Sequence, residues 1–284
     1  MPFPKAERRH SALKLKSVSL PYLVWMIIFI IVPTALVVIF AFTDKNGNFT
    51  LQNIQAVGQY SNVFLRSIWL GAIATIICLL LGYPLAYIIS KTNVRRQSVL
   101  IMLVMLPMWM NFLLRTYAWM TLLEDSGIIN RVLNFFGLPS IHMINTRGAV
   151  VLGMVYNYIP YMILPLYSVL TKIDKRVIEA AQDLGANRRK VFLRVTLPLS
   201  MPGVISGVTM VFVPAVSTFI ISKMLGGGSN LLIGDLIDMQ FLGSAYNPNL
   251  GSAISLVLMV LILICMGIMN QFDENGATEG GVLV

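Results

Sequence analysis

The polar and apolar positions of this chain do not alternate over short distances. They fall into six long apolar blocks separated by short charged segments. The blocks are Val18 to Phe42, Ser67 to Ser90, Val99 to Leu123, Ala149 to Leu170, Leu199 to Ser222 and Leu250 to Met269. Each approaches the roughly 20 apolar residues that a bilayer-spanning helix needs. The third is interrupted by a charge, Arg115, and the first carries none. The pattern predicts an all-α integral membrane protein with six transmembrane helices. It divides the chain into an N-terminal arm (1–17), a transmembrane domain (18–269) and a polar, Gly-rich tail (270–284) expected to be disordered.

Composition strengthens this picture. Of 284 residues, 57% are hydrophobic and 12% charged, against about 25% charged in an ordinary soluble domain. The first block is longer than a signal-peptide core and lacks an Ala-x-Ala exit, so it is expected to remain as a helix. Interior prolines recur in most blocks: Pro33, Pro84, Pro107, Pro160, Pro165, Pro202 and Pro214. Each removes a backbone hydrogen bond and favours a bend.

Charge sets an orientation. The N-terminal arm, the segment after the second block and the segment after the fourth collect fifteen of the 21 Lys and Arg residues. Basic residues mark cytoplasmic loops, which places both termini in the cytoplasm. The net charge of +9 is thereby explained without nucleic acid as a partner. Cys78 and Cys265 sit inside apolar blocks, and His10 and His142 are far apart. These spacings offer neither a disulfide framework nor a metal site. There is no Gly-x-x-x-x-Gly-Lys-Ser/Thr loop to cradle nucleotide phosphates, and no nucleophile–base constellation. No catalytic activity is therefore expected of this chain itself.

The segment between the fourth and fifth blocks (171–198) is the most informative. Asp174 is placed to cap a short helix, Gly185 to end it in a left-handed turn, and Asn187 to cap a second helix that Pro198 closes. Two short helices outside the membrane make a docking surface. Ala180 and Ala181 leave a shallow face, and Glu179 sets a carboxylate beside it. The order Glu179-Ala180-Ala181, Leu184-Gly185, Val195, Leu197-Pro198 resembles the EAA loop of bacterial ABC importer permeases, with valine where the family usually has isoleucine. Further stretches resemble the B-type permease subunits of spermidine/putrescine importers. These are Leu-Gly-Tyr-Pro-Leu-Ala-Tyr (81–87), the run from Pro107 to Trp119, the run from Pro160 to Tyr167, and Gly-Gly-Gly-Ser-Asn-Leu-Leu-Ile-Gly-Asp (226–235).

The resemblance implies a type I, MetI-like permease fold that moves polyamines inward by alternating access. It implies that the loop around Glu179 and Gly185 couples transport to ATP hydrolysis. It also implies the partners: a second permease, an ATPase dimer that holds the ATP and Mg, and an external substrate-binding protein. No cofactor is expected on this chain itself.

A polyamine path calls for carboxylates and aromatic faces, since cations sit well over Trp and Tyr rings. Trp109, Tyr117, Trp119 and Tyr156 are the aromatic candidates. Residues 109, 117 and 119 do not share one helical stripe, so only some can line a path. Glu124, Asp125, Asp235 and Asp238 are the candidate acids, the last two on one face if their segment is helical. Arg115 is expected to pair with a carboxylate or to reach the interface. Two alternatives stay open. One is the same class with another solute: sulfate, molybdate, ferric iron or phosphonate. The other is an ion-coupled carrier, which would hold ionisable residues near the bilayer midplane.

Overall fold

A computed structural model describes residues 21–228, 230–243 and 245–280; the N-terminal arm (1–17) lies outside them. The described chain is helical, with one isolated bridge pairing Thr43 with Phe49. α1 spans Pro21–Ala41 and α2 spans Gln52–Ser90. The third block divides into α3 (Val94–Trp109) and α4 (Phe112–Leu123), followed by the short α5 (Ile128–Phe135). α6 spans Arg147–Leu170. α7 (Lys175–Asp183) and α8 (Arg188–Leu199) follow. The fifth block gives α9 (Met201–Ser217) and α10 (Ile220–Leu225). α11 (Ile233–Phe241) precedes α12 (Pro248–Gly280). Four of these helices are long and apolar enough to cross a membrane, and two bent pairs bring the number to six.

The sequence predicted one helix, bent at proline, for each of blocks three and five, and the structure breaks both into two helices. The third block breaks at Met110 and Asn111, and its two parts lie at 87°. Pro107 leaves the end of α3 without a full set of backbone bonds. Asn111 then restarts the helix, its Oδ1 accepting from the N–H groups of Leu113 and Leu114. The fifth block ends at Ser217, soon after Pro214, and resumes at Ile220. The hydroxyl of Tyr158 donates to the carbonyl of Pro214 at 3.3 Å, meeting one carbonyl of that helix end. The last helix runs on to Gly280, into the segment expected to be disordered. Once an apolar span has nucleated a helix, each added residue gains a backbone bond without a new nucleation cost.

The core forms where α2, α6 and α9 pack together, through Leu70, Ala74, Met154, Met162, Leu166 and Val211. Glycines allow this approach. A Cβ on Gly207 would fall 2.7 Å from Met162 Sδ, and one on Gly71 would fall 2.8 Å from Val216 Cγ2. Small residues at such crossings let backbones approach closely in a membrane, where packing takes over from hydrophobic expulsion. A second cluster joins α12 and α11 to the start of α2 through Phe64, Val216, Ile233, Leu236, Ile254 and Leu258. α1 packs against α12 and otherwise exposes an apolar surface. Asn249 ties the two, its Nδ2 donating to the carbonyls of Thr43 (2.7 Å) and Phe40 (3.2 Å).

Arg115 is buried in α4, with its guanidinium 5.8 Å from the centre of the Phe112 ring. Its Nε and Nη1 have no hydrogen-bond partner among the described residues.

Candidate functional site

The segment between α6 and α9 folds as its residues dictate. Asp174 caps α7, its Oδ1 accepting from the Arg176 N–H at 2.9 Å. Gly185 closes α7 with φ +81°. Its N–H donates to the Gln182 carbonyl (2.8 Å) and the Ala186 N–H to the Ala181 carbonyl (3.1 Å), the paired bonds of a Schellman turn. Asn187 caps α8 by accepting from the Lys190 N–H at 2.9 Å. Pro198 does not close the second helix, as the sequence suggested. It stands at the start of a last helical piece after a π turn (Phe192–Thr196), where its missing N–H is harmless. The chain turns two residues later, at Ser200, through 61°.

α7 buries none of its residues. Val177, Ala180, Ala181 and Leu184 form one apolar stripe at helical spacing, with Leu184 90% exposed. Glu179 is exposed beside it. α8, in contrast, is anchored. Val191 and Thr196 are buried, and Leu197 packs partly into the core. The Phe192 ring meets Tyr83 and Tyr87 of α2 edge-on, at 5.8 and 5.7 Å. Tyr83 Oη lies 2.8 Å from Ser200 Oγ. The arrangement is an open face carried on a segment fastened to the core.

At the other end of the bundle the predicted aromatic and acidic residues separate. Trp119 and Tyr156 come together in a T-shaped pair, ring centres 5.4 Å apart. They sit on the wall of a groove of about 810 Å³ with Trp69, Ile73, Val151 and Val155. Arg66 and Arg147 also line it, near where α6 begins. Trp109, at the end of α3, is 71% exposed and does not join this wall, nor does the exposed Tyr117. Glu124 is exposed at the end of α4. Asp125 Oδ1 lies 2.8 Å from His142 Nδ1.

Asp235 and Asp238 do share one face of α11, as their spacing predicted, but they are not two solvated acids. Asp235 is only 4% exposed, and its Oδ2 accepts from the Leu232 N–H at 2.9 Å. Burial pushes its carboxyl up from the ordinary carboxylate value, partly opposed by that hydrogen bond. Asp238 Oδ2 lies 3.1 Å from Lys223 Nζ. Sequence reasoning missed Lys223 as its partner, because the two stand on different helices. It also missed Asn130, whose Nδ2 donates to the carbonyls of Glu124, Asp125 and Ile141 and gathers the loop around α5.

Bent apolar spans with a charged two-helix segment between the fourth and fifth describe a multi-pass membrane protein. The chain belongs to the family of binding-protein-dependent transport system inner membrane components, which matches residues 82–275. It is an inner-membrane multi-pass permease of the ABC importers, a component without an ATPase of its own. It is similar to the spermidine/putrescine transport system permease protein PotB of Haemophilus influenzae, with 42% identity over 88% of this chain and 91% of the relative. It is also similar to PotB of Escherichia coli, with 36% identity over 86% and 91%. Among solved structures, a bacterial importer of the acidic polysaccharide alginate has the same fold. Its TM-score is 0.77 at 19% identity, covering 95% of this chain and 98% of that one. The MetNI methionine transporter shares it at a TM-score of 0.57 and 16% identity, over 76% and 95%.

Proposed function

We propose that this chain is the permease subunit of a polyamine importer that moves spermidine and putrescine into the cell by alternating access. The observation that carries the reading is 42% identity to a spermidine/putrescine permease across nearly the whole of both chains. Its working partners are a PotC-like second permease, a PotA-like ATPase dimer with its ATP and Mg, and a PotD-like external binding protein. Both termini lie in the cytoplasm, in keeping with the basic residues around α7 and α8.

In this reading the stripe of α7, with Glu179, docks on the ATPase. The carboxylate offers a charge-assisted contact to a basic residue there. Closure of the ATPase dimer pulls α7 and α8, and the edge-on contacts of Phe192 with Tyr83 and Tyr87 carry that pull to α2. The substrate path runs along the Trp119–Tyr156 wall, with Glu124, Asp125, Asp235 and Asp238 drawing cations to the outer side. Trp109 and Tyr117 contribute where the second permease closes the path. The test is uptake by the reconstituted four-part complex. Labelled putrescine should enter with ATP and be displaced by spermidine. Uptake that follows an ion gradient instead, or that yields to sulfate, molybdate, ferric iron or phosphonate, would refute it.

A further inference from the structure

α10 and α11 flank a glycine-rich turn and enclose a pocket of about 180 Å³. Lys223, Leu231, Asp235 and Asp238 are among its walls. Asp235 caps α11 with one oxygen only. The Ser222 hydroxyl stands near this carboxyl and helps to hold its pKa down, but it donates to the Phe219 carbonyl at 3.0 Å, and Asp235 Oδ1 is buried with no hydrogen-bond partner among the described residues. A carboxylate buried with an open oxygen is costly unless a cation meets it. The capping task alone does not require that charge, since an asparagine could also accept from the Leu232 N–H.

Lys223 reaches the same pocket from α10. Its side chain is 68% exposed, and its Nζ contacts Asp238 Oδ2. A lysine side chain is a four-carbon stem ending in an ammonium group. An alkylammonium, tethered to the chain, therefore already occupies the acidic pocket. The lysine end of this pair stands in water although the Asp238 side chain is only 18% exposed, so the ammonium can leave without disturbing the packed residues. We propose that the pocket is the receiving site for one terminal ammonium group of the polyamine, and that Lys223 is its resident occupant, displaced when substrate arrives. The incoming ammonium takes over the bond to Asp238 and offers further N–H groups to Asp235 Oδ1. A water's share of liquid volume is about 30 Å³, so the pocket has room for an ammonium group and the methylenes behind it. The inference rests on the polyamine reading above.

The test is ATP-dependent uptake of labelled putrescine by the full complex in proteoliposomes, with KM measured for three variants. Lys223→Met removes the competitor and should lower KM about twofold or more, at least the worth of one surface ion pair. Asp238→Asn removes the charge-assisted partner and should raise KM about tenfold or more. Asp235→Asn, which keeps the acceptor for Leu232, should raise KM as well. If the Lys223–Asp238 pair were only a structural latch, Lys223→Met and Asp238→Asn would shift KM in the same direction, and that result would overturn the proposal. So would unchanged KM in both. A parent complex that takes up no polyamine would instead overturn the functional reading, and this inference with it.

Discussion

Replacing Gly185 tests the docking segment at its most sensitive point. Its φ of +81° is disfavoured for residues with a side chain. A Cβ built there meets nothing within 4 Å, so the penalty is confined to the backbone. That penalty is about 1–2 kcal/mol for alanine, with valine worse because branching adds to the crowding. α7 has little with which to absorb it. It is nine residues long and buries none of them, and isolated helices below about 12–15 residues are marginal in water. A loss of 1–2 kcal/mol changes an equilibrium by a factor of about 5–30, enough to unfold the turn and displace the stripe from its partner. The assay is ATP-dependent uptake by the reconstituted complex, with ATPase retention on purification and membrane accumulation measured in parallel. Asparagine tolerates the left-handed region better than other side chains, so the expected activity order is Gly, then Asn, then Ala, then Val. All four proteins should insert and accumulate alike, because α7 contributes nothing to the core. If the valine variant transports and retains the ATPase like the parent, the segment is a passive connector and the coupling role fails.

Glu179→Ala should reduce ATPase retention and uptake while leaving thermal stability of the permease within about 0.5 kcal/mol, as for an ordinary surface substitution; normal retention would remove the carboxylate from the interface. A reporter fused after Lys175 should read as cytoplasmic and one within 225–248 as external, and the reverse pattern would invert the orientation and the docking role together. Burial raises the folded-state pKa of Asp235 above its unfolded value of 3.8. The folded protein therefore holds the proton more tightly. This group's contribution to stability is fully present below the unfolded value and is lost as pH rises through the raised folded value. Melting of the detergent-solubilised complex should show that decline, and Asp235→Asn should flatten it; identical pH profiles would mean that the carboxyl is not desolvated.

The sequence by itself determined the class of molecule. Apolar blocks this long have only one way to satisfy their backbone in lipid, as helices. The caps at Asp174 and Asn187 and the left-handed turn at Gly185 were equally legible. Each depends on a residue and its neighbours within a few positions, with no help from the rest of the fold. What lay beyond local pattern was direction and company. Pro107 and Pro214 announced bends, but the 87° turn at Asn111 and the break after Ser217 depend on what receives the redirected chain. Trp119 meets Tyr156 while Trp109 and Tyr117 do not, because the break places Trp109 on a different helix and Tyr117, two residues before Trp119 on α4, faces another side. Asp235 and Asp238 look alike as a pair of acids. Only packing buries one with an open oxygen and gives the other a lysine from α10. The surroundings of a charge, and so its energy, are set by residues distant in the chain, which only the tertiary structure brings together.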